Sequence, residues 1–341
     1  MIETTVDSAS LPDHVNAELH ETGLPLFLRP SDPNIGVDEF VNWFEDHREA
    51  LERLATTHGA VVLRNFPVNG AVFERLVDAY PAPEYGYVGG ATPRQSLGEK
   101  VFEATKHPPE NRLPLHQEMA YLPYYPRMLA FFCNVAAATG GETIIGDMRR
   151  FSQYVPPAFA DRLRERGVRY SRNYRAPGRS SGSEVWDHYH REWPDAMGTD
   201  DPDEAERLCR TMGMISRWEP NGSLSLIFTG PGYVQHPVTG EEIWFNQLLN
   251  QSYTEQIIGP FRFALLPEIY STDAPPPVLV LYGDSTPFEP DLVDELHARL
   301  NDAAVAFPWE AGDVMLVDNY YTAHGRNPFT GTRDVRVALI S

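Results

Sequence analysis

Residues 113–123 read LPLHQEMAYLP, with His116 and Glu118 one residue apart. On a strand, residues two apart project to the same face, so His116 and Glu118 share one side while Leu115, Gln117 and Met119 take the other. The runs that follow are equally short and β-rich, and glycine or proline separates them. They are RMLAFFCNVA (127–136), GGETIIGD (140–147), GVRYSRNY (167–174), SLSLIFTG (223–230), EEIWFNQ (241–247), VLVLYG (278–283), DVMLVDNY (313–320) and DVRVALI (334–340). Many short strands without intervening helices predict a mainly β fold, an antiparallel sandwich or barrel with flanking helices.

Helical spacing is confined to a few places. Phe40, Val41, Phe44, Leu51 and Leu54 recur with helical period until Gly59, GAVVLRNF then reads as a buried strand, and AVFERLVDAY as a second helix. Further helical patterns lie near 157–166, 203–212 and 290–301. Residues 1–36, with four prolines and little periodicity, read as an extended N-terminal arm, leaving 37–341 as one domain. The polar segment 175–202 is long for a loop in a folded domain and reads as an insert or lid.

The chain has 341 residues, 42% of them hydrophobic, and a net charge of −20. Its basic residues are scattered, so nucleic acid and anionic membrane surfaces are excluded as partners. No apolar run approaches the ~18 residues of a membrane span, and the N-terminus lacks the blocks of a signal peptide, which points to a cytoplasmic protein. Cys133 and Cys209 are the only cysteines, too few for a cysteine-based zinc site.

A His-x-Glu pair alone is a weak metal signal. A third ligand is on offer in the C-terminal stretch WEAGDVMLVDNYYTAHGRNPFTGTRDVRVALIS, where a strand leads to His324 and Arg333 opens another β-branched run. Two imidazoles and a carboxylate suit a non-haem Fe(II) oxygenase and also a zinc hydrolase, so ligand count leaves both open. Arg333 offers a planar fork for a carboxylate such as the distal one of 2-oxoglutarate, and the Thr143 hydroxyl could donate to the same group. A hydrolase has no such need.

GAVVLRNF, LHQEMAY with PRMLAFFC, GGETIIGD and GDVMLVDNYYTAHGRNPFTGTR, in this order, resemble the taurine dioxygenase and clavaminate synthase-like superfamily of Fe(II)/2-oxoglutarate oxygenases, with the nearest likeness to its syringomycin-biosynthesis (SyrP-like) branch. The resemblance spans roughly residues 38–341. It implies a double-stranded β-helix, the jelly-roll or cupin-like barrel, with His116, Glu118 and His324 on the metal and Thr143 and Arg333 on 2-oxoglutarate. It also implies O2 as co-substrate, release of succinate and CO2, and oxidation of an unactivated C–H bond, with hydroxylation the default and desaturation, cyclisation or epimerisation the alternatives. The substrate it implies is an amino acid or a derivative in specialised metabolism, either free or on an aminoacyl carrier protein.

Two departures bear on that likeness. Many relatives carry a second, substrate-gripping arginine four residues beyond the first; here that position is Val337, and Arg336 is out of phase. The carboxylate ligand is Glu118 where sulfonate-handling relatives carry Asp, and its presence disfavours the related halogenases. Tyr121, Asn246, Arg326 and Arg336 are candidate substrate contacts. His188 and His190 repeat the same-face spacing but read as solvated or substrate-facing histidines of the 175–202 segment. A metal-dependent hydrolase or isomerase, or a ligand-binding sensor on the same barrel, are the readings from other classes.

Overall fold

The computed structural model describes residues 11–81, 100–103, 108–271 and 274–340; residues 1–10 of the expected arm and the side chain of His188 lie outside that description. The run MLAFFC is apolar at every position because both faces of its strand are covered. Met128–Val135 lies in a seven-stranded sheet, between Val314–Asp318 and Asp334–Ile340. Leu129, Phe131 and Cys133 point into one core, together with Met315, Val317, Val335, Val337 and Leu339. Met128, Ala130 and Phe132 point into a second core, against Phe40, Phe44, Leu51, Leu54 and Phe73 of the helices Val37–His58 and Gly70–Asp78. The longer helix stops at Gly59, whose φ of +78° suits glycine and where a Cβ would come within 2.6 Å of the Thr322 hydroxyl oxygen.

Facing the inner side of this sheet is a three-stranded antiparallel one, in which Thr322–Arg326 lies between Leu113–His116 and Thr143–Asp147. A bridge from Ile145 to Val305 extends it. The chain between those two residues forms a large insert with a four-stranded sheet, Ile215–Trp218, Leu224–Gly230, Val168–Tyr174 and Val278–Tyr282, and several helices. The molecule is mainly β with flanking helices, and its paired sheets have the double-stranded β-helix architecture expected.

Two segments differ from the sequence reading. Within the expected arm, Val15–Leu19 and Leu26–Pro30 are strands of the large sheet, and Leu26–Pro30 pairs in parallel with Ala60–Leu63. Leu26 and Leu28 are fully buried, which ties this segment into the domain instead of laying it across the surface. The 175–202 segment is not irregular throughout. Helices Glu184–Tyr189 and Trp193–Met197 fold within it, and the rings of Trp186 and Trp193 are buried. Ala176, Ala196 and Met197 are buried with them, and Arg175 bridges to Glu192, which ties the segment down.

Candidate metal centre

Strand register assembles the centre. His324 is the cross-strand partner of His116 on one side and of Ile145 on the other, and Arg326 is the partner of Thr143. Directly paired residues of an antiparallel sheet project to the same face. His116, His324, Thr143 and Arg326 therefore share a face, with the Thr143–Arg326 pair two residues along from His324. The imidazoles of His116 and His324 lie 4.4 Å apart between ring centroids, and Phe131 of the large sheet packs 5.1 Å from His324.

One ligand atom from each of His116, Glu118 and His324 lies within 4.8 Å of the other two. His324 Nε2 is 3.4 Å from Glu118 Oε2, while His116 Nδ1 makes a 2.9 Å hydrogen bond to the Pro114 carbonyl oxygen. A carbonyl oxygen can only accept, so Nδ1 carries the N–H and Nε2 is the nitrogen left to ligate. Glu118 and His324 are buried, and a carboxylate sunk beside two imidazoles is the donor set of a divalent transition metal.

Glu118 reaches this position by a different route from the one expected. The strand ends at His116, and Glu118 sits in the turn that follows, with Met119 at φ +60°. Side chains that sequence reasoning passed over hold the turn. Asn319, in the turn between Val314–Asp318 and Thr322–Arg326, accepts from the Glu118 N–H at 2.7 Å and donates to the carbonyls of Glu118 and Pro126. Gln117 points away and donates to the carbonyls of Trp244 and Tyr320, and Gln247 donates to the Gln117 carbonyl. Buried Asp318, at the start of the same turn, accepts from the N–H groups of Tyr320 and Tyr321 and from the Thr56 hydroxyl, and bonds His236 Nε2 at 3.0 Å. The Asp318-Asn319 pair where a strand gives way to a turn is the sequence signal for this support.

Beside the triad, Arg333 Nη2 donates to the Thr143 hydroxyl oxygen at 3.4 Å, its Nε to the Gly141 carbonyl at 2.8 Å, and Trp309 Nε1 to the same Thr143 oxygen at 3.1 Å. Burial, and then the positive charge of Arg326, push the Arg333 guanidinium down to about 10. It remains a cation at neutral pH, in a place where an added carboxylate would relieve the unfavourable field. Arg326 donates to the carbonyls of Pro108 and Asn111, both at 2.7 Å, so it braces that loop while adding positive charge.

Other candidates are redistributed. Arg336 is not at the site: it lies on the helix-facing side of its strand, over the Phe132 ring and against Gly70, because it is one residue out of phase with Val335 and Val337. Asn246 is spent on structure, donating to the Gly232 carbonyl and accepting from the Leu248 N–H. His190 is buried and near the Tyr270 hydroxyl; burial and then Arg175 push it down to about 4, so it is not a solvated lid histidine. Tyr121 is buried, three residues past Glu118, under the guanidinium of Arg172. A cavity of about 640 Å³ between helix Pro260–Ile269 and strand Val278–Tyr282 contains none of the triad.

The profile described as "Taurine catabolism dioxygenase TauD, TfdA family" matches residues 24–339. The chain is 30% identical, over 91% of its length and 89% of the relative's, to the dapdiamide synthesis protein DdaC of Enterobacter agglomerans. It is 31% identical to a clavaminate synthase-like protein of Arabidopsis thaliana, over 90% of this chain and 89% of that one. Among solved structures, the PvcB protein of Pseudomonas aeruginosa superposes with a TM-score of 0.52 at 16% identity, covering 100% of this chain and 95% of that one. Among the described residues no helix is long and apolar enough to cross a membrane.

Proposed function

Because this chain belongs to the taurine catabolism dioxygenase TauD, TfdA family, an oxygenase family that works with Fe(II) and 2-oxoglutarate, we propose that it hydroxylates an unactivated C–H bond of an amino acid or amino-acid-derived small molecule. The convergence of His116, Glu118 and His324 on one point, with Arg333 and Thr143 alongside, carries this reading. In it, His116, Glu118 and His324 hold the iron, and Arg333 with the Thr143 hydroxyl holds the distal carboxylate of 2-oxoglutarate. Bound iron and co-substrate supply, with O2, the oxidising chemistry, and succinate and CO2 are released.

The remaining work falls to the chain. His116, Glu118 and His324 would hold the metal with three protein ligands, a set that would leave room beside it for small molecules. Phe131 packs against the buried His324, and the small sheet's register fixes the spacing between His116, His324 and Thr143. Support for a biosynthetic role comes from the Enterobacter relative, named as a dapdiamide synthesis protein. A free amino acid is the favoured substrate over an aminoacyl group on a carrier protein, since a surface of net charge −20 gives an acidic carrier no electrostatic help.

A panel of amino acids incubated aerobically with Fe(II) and 2-oxoglutarate tests this. One or more should raise succinate formation well above the substrate-free rate and appear as a product one oxygen heavier. Turnover that persists without O2 and 2-oxoglutarate would overturn the reading in favour of a hydrolase or isomerase.

A further inference from the structure

A buried histidine outside the triad sits where a short hairpin meets the turn of Asn319. Strands Tyr233–Gln235 and Glu242–Trp244 pair in antiparallel, and His236 opens the loop between them. Its side chain and that of Asp318 are both 0% exposed. His236 Nδ1 accepts from the N–H groups of Val238 and Thr239, each at 3.2 Å, so Nε2 carries the ring hydrogen and donates it to Asp318 Oδ2 at 3.0 Å. The Tyr321 ring stacks on the imidazole, with centroids 4.3 Å apart and planes 2° from parallel, and Tyr320 packs edge-on at 5.2 Å. Hydrogen bonds set the tautomer of this ring, and the two tyrosines set its plane.

The two oxygens of Asp318 have separate partners. Oδ1 accepts from the N–H groups of Tyr320 at 3.0 Å and Tyr321 at 3.1 Å, which closes the turn that carries Asn319. Oδ2 accepts from His236 and, at 2.8 Å, from the hydroxyl of Thr56 in the last turn of helix Val37–His58. Held at Oδ2 by a hairpin and a helix, the carboxylate keeps Oδ1 on the turn. Asn319 in that turn accepts from the Glu118 N–H at 2.7 Å. The same hairpin reaches the other half of the centre, because Gln117, between the two ligands His116 and Glu118, donates to the Trp244 carbonyl at 2.9 Å. The Tyr321 hydroxyl adds a bond to the Glu241 carboxylate, also at 2.9 Å.

We propose that His236 is a positioning residue for the metal centre, acting through Asp318 and Asn319 to hold the Glu118 backbone where its carboxylate meets His116 and His324. The proposal rests on the oxygenase reading above and adds to it a residue that touches none of the metal ligands. A histidine that only fastened the hairpin could give way to any group of similar bulk, since the packing against Tyr320 and Tyr321 would survive. Loss of the Nε2 donor has a different consequence. It leaves Oδ2 of a buried carboxylate one partner short, and such a group turns toward another donor or draws in water. The displacement passes from the Asp318 carboxylate to the turn, and from Asn319 to the Glu118 N–H. A metal senses small changes in the spacing of its ligands, so its affinity reads out the error.

The test adds Co(II) alone, whose visible bands report binding and ligand geometry without turnover, to the full chain as wild type, His236→Gln, His236→Asn and Thr56→Val. The Gln amide nitrogen reaches the place of imidazole Nε2 and can still donate to Asp318, whereas the Asn amide falls short. His236→Gln should bind Co(II) within about 3-fold of wild type, and His236→Asn roughly 10-fold or more weakly, with shifted bands. Thr56→Val, which removes the other side-chain donor to Oδ2, should weaken binding in the same direction. Phe132→Leu, a change in the helix-facing core, controls for lost stability and should keep wild-type affinity whatever its thermal midpoint. With iron saturating, the 2-oxoglutarate requirement of His236→Asn should stay at the wild-type level, since Arg333 and Thr143 lie off this chain of contacts. Wild-type affinity and bands in His236→Asn, binding by His236→Gln as weak as by His236→Asn, or equal weakening in Phe132→Leu would each overturn the proposal. Should neither His236 variant fold, unchanged affinity in Thr56→Val would overturn it. A wild type that takes up no Co(II) would instead overturn the metal-centre reading.

Discussion

Asn319 does at the scale of a single residue what the metal ligands cannot do for themselves. Its amide answers one N–H and two carbonyls in the buried turn that presents Glu118. Asn319→Ala should destabilise the fold by about 3 kcal/mol, since each orphaned buried group costs on the order of 1–3 kcal/mol. Urea denaturation measures this. In the folded fraction, iron affinity should drop roughly 10–100-fold, as for other groups that orient ligands. Unchanged iron affinity would reduce Asn319 to a purely structural residue. Arg333→Gln should raise the 2-oxoglutarate requirement roughly 100-fold with little change in the substrate requirement. Arg336→Gln should leave the 2-oxoglutarate requirement where it was, because that side chain faces the helices. Steady-state kinetics with each compound varied in turn separates the two arginines; the reverse result would contradict the placement of Arg333.

Elements carry the next level of specification, and the period of two is their main device. Phe131 and Phe132 are adjacent in sequence but belong to opposite cores. Truncating either to alanine should cost on the order of 3–5 kcal/mol. Only Phe131→Ala should also weaken iron binding, since Phe131 packs on His324 while Phe132 stacks on Phe73. Metal titration of the two variants checks this, and equal effects would contradict the two-core account. The same alternation explains what was legible beforehand. MLAFFC announces a strand buried on both sides, and the helical period from Phe40 to Leu54 announces its cover. Period cannot say which of two polar sets a strand turns inward. In VRYSRNY both faces carry polar residues, so the burial of Arg172 was hidden. Nor could it show that the strand of His116 ends before Glu118, because a turn there depends on Asn319, 201 residues away. Short apolar runs between prolines, as at Leu26–Pro30, read as arm until a distant strand claims them.

Across the whole molecule, two sheets bring together side chains from positions 116, 118, 143, 324 and 333, while 48 acidic residues against 28 basic ones dominate the net charge. Arg64, Glu118, Asp313, Asp318 and Arg326 are among the charged side chains kept inside, and Arg333 is half-buried. Binding to the native state alone should raise stability by about 2.7 kcal/mol when ligand is 100-fold above its dissociation constant. Iron with 2-oxoglutarate should therefore raise the thermal midpoint, and a chelator should reverse the gain. A rise of the same size in His324→Ala would place the metal elsewhere. The most direct measurement is anaerobic titration of Fe(II) into the protein with 2-oxoglutarate, following the weak visible charge-transfer band of the chelate. Wild type should develop the band with one iron per chain, and His116→Ala and His324→Ala should not. A missing wild-type band, or one that survives loss of either histidine, would contradict the convergence of these side chains on a single iron.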